Sequence, residues 1–414
     1  MGKFFYHEPH ERTRTGGVSK RSLSLTLPPC PLCLCASVRV LAIFLCFILF
    51  SCDFTFGNSE KTYSGDDTWQ TAAPLHLIYQ NYFPIGNIIS PNDLSNTTRM
   101  NLLKRHFNAL TAENHMKPES IAPTSRPAGS TWNYRFANAD TIVNAAIAAG
   151  MEMHGHTLVW HSQTPRWLTG NGQIDLGRDE TLANMEKYVT DVATHFKDRL
   201  TTWDVANEVF RDGLSNVTSS TDWKTCLRYD DNPWNRIIGP EYIEIAFLKA
   251  READPAVKLY YNDYNLNNAN KAQAVFNMVR DINNRFPNVG GRPLIDGIGM
   301  QSHHHIRTSS DSVETSIVLF ASLGVEIAIT ELDIQAVGTF GNPPTTYAWN
   351  DDTAQIQARL YAALFKIFKR HSSVITRVTF WGLDDTTSWR NSSRPTLLNG
   401  NLTLKPAFYA VSEP

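Results

Sequence analysis

Two glutamates stand where a pair of catalytic carboxyls would be needed. Trp203-Asp204-Val205-Ala206-Asn207-Glu208 reads as a short apolar strand ending in an adjacent amide and carboxylate. Further along, a β-rich run over 325–330 ends in Glu331, with Asp333 two residues on. Cleaving a glycosidic bond takes two carboxyls: one protonates the departing oxygen, and the other attacks the anomeric carbon or directs water. A separation of about 5–5.5 Å permits a covalent glycosyl-enzyme and retained configuration, whereas wider spacing admits water and gives inversion. Neighbouring carboxylates also push their pKa values apart, which keeps one protonated near neutral pH. A single glutamate after a strand is ordinarily a solvated loop residue. The groups around these two argue otherwise.

Those groups sit at the ends of other strands. Strands are predicted over 83–89, 109–113, 152–160, 201–206, 258–261, 297–301, 325–330 and 374–380. Helical patterns fall between them, over 93–107, 137–149, 179–196, 240–253, 271–286, 310–323 and 353–370. Strands separated by helices pair in parallel through crossovers, so the alternation favours an α/β fold, a closed (β/α)8 TIM barrel. Such barrels build their sites at the C-terminal strand ends. Here those ends carry Glu113-Asn114-His115-Met116-Lys117, then His154-Gly155-His156 running on to Trp160-His161, then Asn207-Glu208. The later ones carry Tyr261-Asn262-Asp263-Tyr264-Asn265, Gln301-Ser302-His303, Glu331 with Asp333, and Trp381-Gly382-Leu383-Asp384 followed by Trp389. So many polar and aromatic groups that a core would exclude are hard to read as chance solvation.

Composition narrows the class. The 414 residues are 42% hydrophobic and 19% charged, ample for a globular core. A formal net charge of −2 offers no basic field for nucleic acid or anionic lipid. Ten Trp and fourteen Tyr, several beside polar residues at strand ends, suit stacking on a sugar ring. Of the six cysteines only Cys226 lies in the body, which therefore has no disulfide framework. Residues 40–50 are continuously apolar, too short to span a bilayer but the right length for a signal-peptide core, with Lys20-Arg21 and Arg39 ahead of them. Leu49-Phe50-Ser51-Cys52 is similar to a lipoprotein cleavage box. Residues 1–52 thus read as an export segment, 53–73 as a polar tether and 74–412 as the barrel. The chain is expected to be secreted, or held at the cell envelope by a lipid anchor on Cys52.

Taken in order, five blocks resemble glycoside hydrolase family 10, the (β/α)8 endo-1,4-β-xylanases. They are Glu113-Asn114-x-Met116-Lys117, His156-Thr157-Leu158-Val159-Trp160-His161, Trp203-Asp204-Val205-x-Asn207-Glu208, Thr330-Glu331-Leu332-Asp333 and Trp381-Gly382. The resemblance runs from about Pro74 to Val411. It implies retaining hydrolysis of internal bonds in xylan or xylooligosaccharides, with no metal or organic cofactor. It implies Glu208 as acid/base, Glu331 as nucleophile, Asn207 on the sugar 2-hydroxyl, and His303, supported by Asp333, orienting Glu331. It further implies sugar contacts from Asn114, Lys117, His156 and Gln301, walls from Trp160, Trp381 and Trp389, a leaving-group-side contact from Tyr264 and a distal one from Glu113. The sequence departs from the family at Pro118, where Trp is common, at His154, where Arg is usual, and at Asp384, where a small hydroxyl residue is more frequent. The segment 212–240, containing Trp223, is long.

Three rivals compete with this reading. His303-His304-His305 and His154-Gly155-His156 each imitate metal ligands, but no further ligands are spaced to complete a site. A binding protein without catalysis would have no use for both glutamates and Asn207. A β-glucanase differs by admitting a hydroxymethyl group, a steric question for Trp381 and Trp389.

Overall fold

The computed structural model describes residues 60–171 and 173–413. The apolar run 40–50 and Cys52 lie outside the described residues. Eight strands, β1 (Ile85–Ile89), β2 (Ala109–Ala112), β3 (Glu152–Trp160), β4 (Thr202–Asn207), β5 (Lys258–Asp263), β6 (Gly297–Met300), β7 (Glu326–Gln335) and β8 (Ile375–Phe380), pair in parallel in chain order. β8 pairs with both β7 and β1, which closes the barrel. Helices α1 (Thr97–His106), α2 (Ala137–Ala148), α3 (Arg178–His195), α4 (Tyr242–Ala253), α5 (Ala269–Arg285), α6 (Ser310–Ala321), α7 (Asp351–Arg370) and α8 (Pro406–Ser412) follow the strands in turn.

Local chemistry sets these elements. The strands are buried on both faces and carry continuous apolar runs, as parallel strands do. α7 begins at a capping box between Asn350 and Thr353 and buries Ala354, Ala358, Tyr361, Phe365 and Phe368 at helical spacing. β7 runs five residues past its predicted end because the short strand His303–His305 pairs beside it, His303 opposite Asp333. α8 and a hairpin of Gly338–Phe340 with Thr345–Tyr347 were not predicted. Neither carries the long periodic pattern by which helices and strands are read from sequence.

Side-chain alternation decides what faces the barrel interior. From β3 and β4, His154, His156 and Asp204 point inward, whereas Gly155 and Trp203 point out to the helices, where Trp203 meets Phe196 edge-on. Lower in the interior, Arg377 donates to Thr202 at 2.8 Å and Tyr260 to Glu326 at 2.6 Å. The pattern then breaks beneath the site. On β7 the steps from Ile329 to Leu332 pass those from Val378 to Phe380, one residue more on β7. β4 has one extra against β5 between Asp204 and Ala206, and β3 one against β4 between His156 and Val159. An extra residue reverses the facing of everything after it. Thr330 and Glu331, neighbours in sequence, consequently both reach Asn262, and Asn207 turns inward three residues after Asp204.

The part of the expected tether that the structure describes is fixed to the barrel. Tyr63 exchanges two hydrogen bonds with Gln355, and Arg105 and His106 bind the carbonyls of Trp69 and Ala72. Apolar and aromatic residues here, Tyr63 and Trp69 among them, pack on the core.

Gly155 supplies a test of the packing. A Cβ there would sit 2.3 Å from the buried Trp203 ring. Overpacking of this kind costs about 1–3 kcal/mol, so Gly155→Ala should lower the thermal midpoint by several degrees. An unchanged midpoint would mean that Trp203 has room to move.

Candidate active site

A cleft of about 510 Å³ opens at the C-terminal end of the barrel. Of the residues expected in a site, Glu113, Asn114, Lys117, His156, Trp160, Glu208, Tyr264, Gln301, His303, Glu331, Trp381 and Trp389 line it. Asn207 and Asp333 lie behind the lining and hold it.

Glu331 is the most enclosed carboxylate in the cleft, 5% exposed. Asn262 Nδ2 donates to its Oε1 at 2.8 Å, His303 Nε2 lies 3.1 Å from its Oε2, and His156 Nδ1 lies 3.9 Å from Oε1. Burial alone would raise its pKa, but His156 nearby and the His303 hydrogen bond outweigh that and hold it below the ordinary value. His303 is itself oriented by Asp333, whose Oδ2 lies 3.0 Å from Nδ1. Asp333 also accepts from Trp389 Nε1 at 2.9 Å and Arg390 at 3.1 Å.

Glu208 stands on another wall. Trp160 Nε1 donates to its Oε2 and Gln301 Nε2 to its Oε1, each at 2.9 Å. Its backbone is left-handed, φ +56°, a conformation that costs a non-glycine residue on the order of 1–3 kcal/mol and persists only where its surroundings hold it. The two carboxyls share a frame of amides. Asn207 Oδ1 accepts from Asn262 at 3.0 Å and from Gln301 at 3.3 Å, and these same amides reach Glu331 and Glu208. Asn207 Nδ2 is buried and has no partner among the described residues. A buried donor without a partner, just behind the cleft lining, calls for an explanation.

Lys117 donates to Asn114 and Gln163, each at 2.8 Å, with its ammonium 5.3 Å from the centre of the Trp160 ring. Trp381 meets His156 edge-on at 5.3 Å. His156 in turn shares Asp204 with His154, each nitrogen 2.9 Å away. These two histidines outweigh the burial of Asp204 and keep it well below the usual carboxylate range.

The sequence names Asn262 and Asn265 at a strand end without giving them a part, and does not mark Gln163 or Arg390 at all. Asn262 sits inside a strand-end block and could have been weighed; Gln163 lies in a loop with no pattern to mark it. The histidine run does not gather: His303 faces Glu331, His304 is buried and His305 stacks on Phe340 with ring centroids 4.7 Å apart. Among the described residues no group of three or more metal-type ligands comes together.

The departures also find their places. Pro118 is buried at the first position of a short helix, Pro118–Ile121, a favoured site for proline. Asp384 faces away from the cleft and binds Arg99, which also binds Asp93, each at 2.5 Å. Trp223 is buried in the long segment, its indole donating to Asp281 on α5. That segment braces the site from outside. Arg228 donates to the Glu208 carbonyl at 3.1 Å and Trp234 to the Trp160 carbonyl at 2.9 Å.

His303 carries a pH consequence. Asp333 and Glu331 together overcome the effect of burial and raise its pKa from 6.5 to about 9. Between those values the folded chain binds a proton that the unfolded chain has released. The stabilisation is therefore complete below pH 6.5 and lost as pH rises through 9. Thermal midpoints should fall across this window, and His303→Gln should flatten that slope; parallel slopes would exclude His303 as the cause.

The geometry can now be set beside known proteins. The family model for glycosyl hydrolase family 10 matches residues 74–414. Endo-1,4-beta-xylanase A of Thermoanaerobacterium saccharolyticum is 40% identical over 352 residues, covering 82% of this chain and 28% of that protein. Exoglucanase XynX of Acetivibrio thermocellus is 40% identical over 82% of this chain and 29% of its own length. The chain thus spans less than a third of either relative. The solved structure of TsXylA, described as an intracellular xylanase of T. saccharolyticum, aligns with TM-score 0.70 and 40% identity over 82% of this chain and 98% of that one. Structures of mutants of TsXylA hold xylotetraose and xylotriose. The expectation of a secreted or envelope-anchored chain does not stand, because TsXylA, whose solved chain aligns with the barrel over 98% of its length, is described as intracellular. Among the described residues no helix is long and apolar enough to cross a membrane. A match that covers the barrel and both carboxylate-bearing strands settles the lineage: the chain belongs to glycosyl hydrolase family 10.

Proposed function

We propose that this chain is an endo-1,4-β-xylanase that cleaves internal xylan bonds with retention of configuration. The observation that carries the reading is the frame around Asn207, which links an ionised, buried Glu331 to Glu208 and leaves one amide donor free. In the first step Glu331 attacks the anomeric carbon while Glu208 gives its proton to the departing oxygen. In the second, Glu208 takes a proton from water, which attacks from the side the leaving group vacated, opposite Glu331, and displaces that carboxylate. The free Asn207 Nδ2 is the donor for the sugar 2-hydroxyl, a contact that strengthens as the ring flattens. His303 holds Glu331 by Oε2 and Asn262 holds it by Oε1, which fixes the carboxylate that attacks. Trp160, Trp381 and Trp389 give the sugar apolar walls, and Glu113, Asn114, Lys117 and Gln301 supply hydroxyl contacts. Tyr264 meets the leaving-group side.

The relative named as an exoglucanase favours a second reading, β-1,4-glucan as substrate. Hydrolysis rates on matched xylo- and cello-oligosaccharides decide between them.

Glu331→Ala should lose turnover by at least about 10⁴-fold on every substrate while keeping its thermal midpoint. Glu208→Ala should lose about 10²–10⁴-fold on xylooligosaccharides. It should spare the first step with aryl glycosides, whose acidic leaving groups need no proton. Equal loss on both would remove Glu208 as the acid. Proton NMR of the first product should show the β-anomer; the α-anomer would mean inversion and a different part for Glu331.

A further inference from the structure

The left-handed turn at Glu208 is held from outside the cleft. The Glu208 N–H donates to the Asn262 carbonyl at 2.9 Å, and the next N–H, of Val209, donates to the Tyr261 hydroxyl at 3.2 Å. That hydroxyl donates in turn to Asp263 Oδ2. Asp263 Oδ1 takes Lys271 Nζ at 2.7 Å and the Tyr264 N–H at 2.8 Å. Tyr261 and Asp263 are fully buried and Lys271 is 3% exposed. None of the three lines the cleft, yet Lys271 Nζ lies 3.6 Å from the centre of the Tyr264 ring, which does.

Stability is a poor reason for this pair. A buried ion pair loses in desolvation about what it gains in attraction, and an apolar pair of similar size would serve as well. Lys271 also stands in the first turn of α5, after the Asn268 cap, where the helix dipole disfavours a cation. What the pair does achieve is geometric. One carboxylate touches both the chain behind Glu208 and the chain that presents Tyr264.

We propose that Asp263, paired with Lys271, is a positioning residue that sets Glu208 and Tyr264 together. Through Tyr261 it fixes the turn that aims the Glu208 carboxyl; through the Tyr264 amide and Lys271 it fixes the aromatic wall on the leaving-group side. The sugar seated against Tyr264 and the proton it receives are registered from the same point. The proposal rests on Glu208 acting as the acid.

Tyr261→Phe removes only the hydroxyl that receives the Val209 N–H. Its kcat and KM are measured on a xylooligosaccharide, whose leaving group needs a proton, and on an aryl β-xylobioside whose leaving group needs none. Glu208→Ala is run in parallel, with thermal midpoints for all variants. In kcat/KM, which reports the first step alone, Tyr261→Phe should lose about tenfold on the oligosaccharide and under about twofold on the aryl glycoside, since small misplacements of a catalytic group cost this much; this kcat/KM contrast is the split on which each outcome below is judged. Asp263→Asn should show the same split; if it does not fold, Tyr261→Phe alone decides. Equal loss on both substrates, or a lowered midpoint with no split, overturns the proposal. If Glu208→Ala itself shows no split, the acid assignment fails and the proposal falls with it. A split for Glu208→Ala without one for Tyr261→Phe removes the positioning role alone.

Discussion

A carboxylate that has lost nearly all its water stays ionised only where fixed dipoles and charges replace that water. Glu331 meets this condition through Asn262, His303 and His156, and the neighbourhood can be traced outward from them. His303 needs Asp333; Asp333 needs Trp389 and Arg390. Asn262 is held by Thr330 at 2.7 Å and shares Asn207 with Gln301. His156 needs Asp204, and Asp204 needs His154. A polar lattice of this size inside a barrel has to be nearly complete, because at low dielectric an unpaired member costs more than a single hydrogen bond returns. The apolar mass that makes so polar an interior tolerable lies outside it, between strands and helices, where Trp203, Phe247, Phe320 and Phe365 are buried.

The barrel was legible because its signal is repeated eight times over, so an error in one strand does not disturb the reading of the rest. The site was legible for a related reason. Groups such as His156, Gln301 and Trp381 are misfits at the ends of apolar runs, and a misfit can be seen without knowing what it touches. What could not be seen is what depends on a partner far along the chain. The parts played by Asn262, Gln163 and Arg390 are defined by contacts with Glu331, Lys117 and Asp333, and nothing local to them announces it. The extra residues in β3, β4 and β7 are invisible for the same reason, since a register is a property of two strands.

The long segment after β4 shows how a misfit can mislead. A Trp among Ser, Thr and Asn in a segment longer than the family pattern has the look of a surface residue, yet the Trp223 ring is buried and its indole is engaged by Asp281. Asp384 is similar: an unexpected charge beside the cleft serves to bind Arg99, and with it the loop after β1, to the loop after β8. Both departures from the family pattern change how the loops are fastened and leave the carboxylates alone.

The strand irregularities have a consequence for how this barrel can change over evolutionary time. A substitution in β7 alters one contact, and its cost is graded by size and polarity. The deletion of a single residue there restores plain alternation and turns Glu331 and Asp333 out toward the helices together. Length in these strands is therefore an all-or-none variable. The connecting loops carry no such restriction, and variation in chain length should collect in them.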